Sequence, residues 1–126
     1  MLIIDFDAYR QQRQIRALQS SMANVSFQPL EDGNPLQKFD IFSNGAIRHK
    51  HLFIVPSYED SVLKFDDEPF LWKIVPHASH PNAVRISTDG KVFLKANGPM
   101  FDLVRESSVE RGTVFLFIEP KKSIVS

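Results

Sequence analysis

The chain has 126 residues, 43% of them hydrophobic, and its 15 basic and 15 acidic residues leave no net charge. A chain of this length forms one globular domain with its own core. The balanced charge argues against whole-molecule attraction to nucleic acid or to anionic membranes. The absence of cysteine excludes disulfides and cysteine-ligated zinc.

The first 23 residues predict an amphipathic helix. Ala, Arg, Gln and Leu are frequent from residue 5 to 23, where neither Gly nor Pro occurs. At about 100° per residue, arginines fall on one side and an aliphatic stripe on the other. The stripe comprises Ile4, Ala8, Ile15, Leu18 and Met22. We expect it to pack on the rest of the chain or to bind a neighbouring subunit, so Ile15, Leu18 and Met22 are candidate partner-binding residues.

Residues 24–37 predict a linker because they contain Pro29, Gly33, Pro35 and the acidic pair Glu31-Asp32. One short strand fits within it, at 25–28. The expected organisation is therefore an N-terminal helix or arm over 1–23, a linker over 24–37 and a β domain over 38–126. Exchange of such arms between subunits is a low-cost route to an oligomer.

Eight strands are expected after the linker, at 38–42, 46–55, 61–65, 70–75, 83–87, 91–95, 100–105 and 113–118. Prolines fall between them, where a missing N–H does no harm. The body is therefore all-β and mostly antiparallel. Segments 70–75 and 113–118 are apolar at nearly every position, which predicts strands covered on both faces. Their Trp72, Phe115 and Phe117 complete the candidate partner-binding set.

Segment 84–95 predicts a β-hairpin with the three-residue loop Thr88-Asp89-Gly90. In this register Ile86 faces Val92, so the aliphatic residues share one face, and Gly90 adopts the left-handed conformation.

Residues 41–47 match residues 86–92 at a constant shift of 45 residues. The equivalent loop, Ser43-Asn44-Gly45, places Ile41 opposite Ile47 and Asp40 opposite Arg48, an opposite-charge cross-strand pair. The same shift carries Phe-Leu-Trp at 70–72 onto Phe-Leu-Phe at 115–117. We therefore predict an internally duplicated body of two four-strand units, forming a β-sandwich or small closed barrel.

A four-strand unit repeated with a period in the forties, with an early glycine hairpin and a late aromatic strand, also resembles the β-trefoil folds of lectins and fascin-like actin bundlers. A trefoil needs three units, and residues 1–36 supply no glycine hairpin. The chain also has no Gln-x-Trp lectin motif. A β-trefoil-like fold is therefore the alternative to the sandwich or barrel.

Four histidines form a candidate metal site. His49 and His51 alternate along the expected strand 46–55, and His77 and His80 lie in the proline-bounded loop 76–81. If this loop folds over the strand, four imidazoles provide a zinc or nickel site, or a cluster that protonates near about pH 6.5. The alternative is an imidazole pair at a sheet edge beside a polar turn.

No catalytic, nucleotide or cofactor motif of high specificity occurs in the chain. The acidic runs at 59–60 and 66–68 lack the alternating ligands of a calcium loop and are typical of solvated loops. We therefore predict no enzyme and no cofactor.

The leading prediction is a non-enzymatic structural or interaction protein, a subunit of a larger assembly whose partners are other proteins or copies of itself. A viral or phage particle component is one such class. The first alternative is a carbohydrate-binding or adaptor module of trefoil type, with its ligand near Tyr58, Trp72 and Asn97. The second is a metal-binding or pH-gated protein that uses the four histidines.

The chain is expected in the cytoplasm or in a virion. Its first seven residues lack the basic region of a cleaved signal peptide, and no stretch approaches the about 18 apolar residues that span a bilayer. No membrane partner is predicted.

Overall fold

The computed structural model of the chain describes residues 1–10, 15–21, 24–57, 62–97, 100–105 and 113–119. The helices are α1 (Phe6–Arg10) and a 3₁₀ turn (Pro35–Gln37). The strands are β1 (Leu2–Asp5), β2 (Arg16–Ser21), β3 (Asn24–Pro29), β4 (Asp40–Ile41), β5 (Ile47–His49), β6 (Leu52–Ser57), β7 (Val62–Asp66), β8 (Lys73–Pro76), β9 (Ala83–Ser87), β10 (Val92–Asn97), β11 (Met100–Arg105) and β12 (Phe115–Ile118).

The described strands form one antiparallel sheet. Its order is β11-β10-β9-β12-β1-β2-β3-β7-β6-β5-β4, and β8 pairs with β9 off this path. The predicted all-β, mostly antiparallel class is confirmed.

Strand pairing recurs every four strands. The triplets β1-β2-β3, β5-β6-β7 and β9-β10-β11 each consist of consecutive antiparallel neighbours. The strand that follows each triplet pairs with the first strand of the next triplet. Thus β4 pairs with β5, β8 pairs with β9, and β12 returns to pair with β1.

The core lies on one side of the whole sheet, and we call it the inner core. Strands from both halves of the sheet contribute to it, so the sheet must curl around a shared centre. Its buried members are Ile3, Leu18, Val25, Phe27, Phe39, Ile47, Ile54, Leu63, Trp72, Val84, Ile86, Leu94 and Phe115. The rings of Phe27 and Phe115 stack at its centre, 5.7 Å apart.

The N-terminal helix predicted over 5–23 is wrong for most of the described part of that range. Helix α1 ends at Arg10, and residues 16–21 form strand β2 instead. Strand β2 pairs with β3 along six residues, and its Leu18 enters the inner core. Helix propensity is a weak preference of a few tenths of a kcal/mol per residue, and tertiary pairing overrides it here. The predicted boundaries after residues 23 and 37 do not coincide with a break in the sheet.

The hairpin predicted around Gly45 is confirmed. Strands β4 and β5 place Asp40 opposite Arg48 and Ile41 opposite Ile47. The side chains of Arg48 and Asp40 form an ion pair at 3.1 Å. The apolar pattern and the charge pair indicate the same register, which is why the sequence specified it.

The hairpin predicted around Gly90 has a different register. Gly90 is left-handed, with φ of 89°, but Phe93 lies opposite Ser87, two residues from its predicted partner. A shift of two keeps the same side chains on each face, so the apolar pattern cannot tell the two registers apart. The buried Ser87 hydroxyl fits the observed one, because Oγ donates to Val92 O at 2.6 Å and accepts from Gly90 N at 2.7 Å.

We expect Gly45→Ala to destabilise the fold by about 3 kcal/mol or more. Gly45 has φ of 95°, and an added Cβ would lie 1.9 Å from the carbonyl oxygen of Trp72. That oxygen belongs to the backbone and cannot move without disturbing the buried indole. Urea unfolding followed by circular dichroism measures the loss.

Gly33→Ala is the matched control. Gly33 also has a positive φ, 75°, but an added Cβ meets nothing within 4 Å. Only the conformational cost of about 1 kcal/mol should then remain. Equal losses for the two variants would show that the contact with Trp72 does not matter.

Candidate functional site

An apolar groove of about 470 Å³ lies on the face of the sheet opposite the inner core. We call it the outer groove. Its lining comprises Ile4, Phe6, Tyr9, Ile15, Leu30, His80, Leu116 and Ile118. Clefts of this size bind small ligands or anchor side chains of a partner.

The groove is apolar because two neighbouring strands carry apolar side chains on both faces. In β1, Ile3 enters the inner core while Ile4 joins a second cluster on the outer face, and in β12 Phe115 and Leu116 divide in the same way. Strand pairing places Ile4 opposite Leu116. Antiparallel sheets commonly have one polar, solvated face, so a second apolar face needs its own explanation.

Two small side chains lie opposite the aliphatic residues of these strands. Ala17 lies opposite Ile4 on β2, and Ala83 lies opposite Leu116 on β9. Both alanines are buried members of the outer cluster, and their partners Ile4 and Leu116 line the groove.

Helix α1 is fixed at one end of the groove by two carboxylates. The side chain of Asp5 accepts a hydrogen bond from Ala8 N at 3.1 Å, as helix-capping residues do. The side chain of Asp7 accepts one from Val114 N at 3.0 Å. Phe6 N donates to Val114 O at 3.0 Å. These bonds hold Phe6 over the groove.

Three rings form what we call the aromatic corner: Phe6, Tyr9 and His80. Tyr9 stacks on Phe6 at 6.0 Å with an interplanar angle of 17°, and His80 meets Phe6 edge-on at 5.9 Å. The guanidinium of Arg10 lies 5.7 Å from the centre of the Phe6 ring. The corner thus combines a rigid apolar surface with a positive charge beside it.

The loop that carries His80 uses imidazoles as hydrogen-bond acceptors. His80 Nδ1 accepts from Asn82 N at 3.1 Å, and His77 Nδ1 accepts from Ser79 N at 3.2 Å. A backbone N–H only donates, so both Nδ1 atoms carry a lone pair. The neutral ring of His80 then has its proton on Nε2.

Asp5 is a buried carboxyl group next to the groove. Burial raises the pKa of Asp5, and the charge of Asp7 acts in the same direction. The hydrogen bond from Ala8 N and the charge of Arg16 oppose the rise.

The inner core leaves no room for a ligand. A void of about 10 Å³ lies among its aliphatic side chains and Trp72. This is about the space of one water molecule, and its lining offers no polar partner. Among the described residues, the outer groove is therefore the better candidate site.

The predicted strand 46–55 is wrong, and with it the alternation of His49 and His51. The strand ends at His49, and β6 begins at Leu52 after a turn in which Lys50 has φ of 57°. His51 lies exposed in this turn. The His49 ring is buried between aromatic side chains, with Nδ1 3.1 Å from Lys38 O.

The histidines do not assemble as the metal hypothesis requires. His77 and His80 lie in the loop beside the outer groove, whereas His49 packs on Phe39 and Phe65. Across the residues that the structure describes, no three His, Cys, Asp or Glu side chains are placed to hold a metal ion.

Three predicted partner-binding residues are part of the inner core instead. Leu18, Trp72 and Phe115 are 3%, 3% and 0% exposed. The indole N–H of Trp72 donates to Ile54 O at 2.9 Å, which satisfies its polar group inside the protein. These side chains therefore leave no surface for a partner or a glycan.

The other three predicted partner-binding residues have different positions in the chain's structure. Ile15 lines the outer groove. Phe117 is half-buried against the inner core. Met22 lies outside the described residues, as does Tyr58 from the proposed glycan site.

The sequence reasoning missed Phe6, Tyr9 and Leu30. A signal for the groove was present, since consecutive apolar residues at 2–4 and 115–118 require cover on both faces. The helix prediction obscured this signal, because it assigned residues 1–23 to a separate helix or arm.

No family model, no curated protein and no solved structure matches this chain. Within the described ranges, no helix has the length and hydrophobicity needed to cross a membrane.

We expect Asp5→Asn to change how the free energy of unfolding depends on pH, in a direction that follows from the raised pKa of Asp5. The folded state binds the Asp5 proton more tightly than the unfolded chain, whose pKa is near 3.8. As pH rises above that value, the wild type should therefore lose free energy of unfolding relative to Asp5→Asn, until the carboxyl ionises in the folded state too. Thermal unfolding between about pH 3 and pH 7 measures the difference.

Asp89→Asn is a control for which the pH dependence of stability should change in the opposite direction. Hydrogen bonds from Lys91 N, above all, and from Val92 N lower the pKa of Asp89. Its carboxylate stabilises the fold above the unfolded pKa, and this contribution disappears as pH falls through the lower folded value. The same sign for both variants would contradict the buried environment of Asp5.

Proposed function

We propose that the chain is a non-enzymatic interaction protein that works as a subunit of a larger assembly, with the outer groove as the contact for a neighbouring subunit. The observation that carries the proposal is the groove itself, a concave apolar surface on the outside of an antiparallel sheet. An exposed apolar concavity of this kind typically marks a binding surface.

The side chains of the groove are suited to a protein contact. Tyr9 is 51% exposed and stacks on the buried Phe6, so it offers a rigid aromatic surface at a low cost in conformational entropy. Tyrosines in such positions are frequent hot spots of protein interfaces. Partly buried aliphatic residues, Ile15, Leu30 and Ile118, extend the surface.

A further copy of this chain is the partner that we favour. With 15 basic and 15 acidic residues, copies carry no net charge and do not repel one another. The proposal covers assemblies of any origin, including the viral or phage particles that the sequence analysis raised.

An adaptor of trefoil type is the second candidate. It is supported by the recurrence of strand pairing every four strands, because three such units give twelve strands. The same observation favours three units over the two predicted from the sequence, and a trefoil over a sandwich. The glycan-binding form has less support, since Trp72 is buried.

We expect Tyr9→Glu to weaken self-association at least about thirtyfold, or about 2 kcal/mol. The substitution removes an aromatic contact and places a charge where an apolar surface would be covered. Light scattering of the purified protein across a wide concentration range measures the change.

Leu71→Glu is the matched control, because Leu71 is 55% exposed and lies outside the groove. It should leave self-association unchanged, and circular dichroism should show both variants folded. Equal weakening by both variants would indicate unspecific apolar association. A wild type that stays monomeric at every concentration would contradict the proposal.

A further inference from the structure

We infer that the outer groove selects an anionic occupant, namely a protein segment whose apolar side chain fills the groove and whose adjacent carboxylate pairs with Arg10. This inference deepens the proposed function and rests on it, since it names the chemistry of the contact. It depends on charges and donors at the aromatic corner, which the apolar lining alone does not explain.

Within the described part of the chain, Arg10 carries a positive charge that no ion pair engages. Among the described residues the ion pair is Arg48 with Asp40, and the contact of Arg10 is the face of the Phe6 ring. Arg10 is not part of the groove lining, but the Phe6 ring that its guanidinium contacts is, so the charge lies within one ring of the space that an occupant would fill. Its planar fork of N–H donors matches a carboxylate.

The carboxylates nearest in sequence are already engaged elsewhere. Asp5 accepts from Ala8 N and is buried, and Asp7 accepts from Val114 N. Both bonds hold α1 in place, and in the described part of the chain neither carboxylate forms an ion pair with Arg10. An external anion could therefore take that position.

His80 supplies a second donor at the same corner. Its Nδ1 accepts from Asn82 N, which leaves the proton on Nε2, and the ring lines the groove. The Tyr9 hydroxyl is a third group able to donate. Positive charge and donors thus gather at one end of an apolar surface, a pattern complementary to a carboxylate next to an apolar side chain.

Two dyes with the same ring skeleton test this selectivity. The probe 8-anilinonaphthalene-1-sulfonate carries an anionic group, and N-phenyl-1-naphthylamine lacks it. At about pH 7.5, where imidazole is mostly neutral, Arg10→Gln should weaken binding of the sulfonate about three- to tenfold and leave the neutral dye unchanged. Added salt should reduce the sulfonate preference of the wild type.

Arg48→Gln is the matched control. Arg48 also lies over a phenylalanine, at 4.8 Å from the Phe42 ring, but it is paired with Asp40, and Phe42 is not part of the groove lining. It should leave both dyes unaffected. Equal effects of Arg10→Gln on the two dyes, or of the two arginine variants on the sulfonate, would overturn the inference.

The source of the anion is tested by competition with self-association. If a segment of a neighbouring copy occupies the groove, sulfonate affinity should fall as the protein concentration enters the assembled range, and excess sulfonate should dissociate the assembly. Unchanged affinity in the assembled state would overturn the assignment to a protein segment and indicate a small anionic ligand instead.

The experiments distinguish failure of the proposed function from failure of the anion selectivity. If Tyr9→Glu alters neither dye binding nor self-association, the groove is not the contact and the proposed function fails. If Tyr9→Glu weakens both dyes while Arg10→Gln does not discriminate between them, the groove stands as the contact and only its anion selectivity is lost.

Discussion

The structure depends on apolar side chains on both faces of β1 and β12. One set of faces, with Ile3 and Phe115, forms part of the inner core, and the other, with Ile4 and Leu116, forms the floor of the outer groove. Each fully buried aliphatic or aromatic side chain contributes about 1.5–3 kcal/mol. The pairing of the two strands therefore supports the inner core and the groove together.

The groove exists because the outer cover is small. Helix α1 has five residues and contributes the buried Phe6, whereas a whole layer of secondary structure normally covers an apolar sheet face. The carboxylates of Asp5 and Asp7 fix this short helix, and Asp5 carries the cost of burial as a raised pKa. The helix thus holds an aromatic corner in place and leaves the aliphatic floor beside it open.

Backbone contacts hold the hairpin at Gly45 against Trp72. Gly45 approaches the backbone of Trp72 so closely that no other residue fits, and its carbonyl oxygen accepts from Trp72 N at 3.0 Å. The indole N–H then reaches Ile54 O. A tryptophan in such a position specifies the packing of the core, which explains why it is not available to a ligand.

The amino-acid sequence alone was enough to predict the strand class, the β4–β5 hairpin and the need to cover both faces of segment 113–118. These features depend on local alternation, glycine conformation and one charge pair, which are properties of neighbouring residues. The sequence also proposed Ile15 as a candidate partner-binding residue, and the structure places Ile15 in the lining of the groove.

The remaining features depend on contacts between distant parts of the chain. Residues 16–21 became a strand because β3 and the inner core were available to them, which outweighed their helix propensity. At the Gly90 hairpin the apolar pattern cannot choose the register, because a shift of two residues leaves the apolar faces unchanged. The observed register fits the hydrogen bonds of the buried Ser87 hydroxyl. The groove joins residues from α1, from strands β1 and β12 and from three segments outside the strands. No spacing in the sequence encodes their meeting, since contacts between distant segments arise only when the whole sheet has formed.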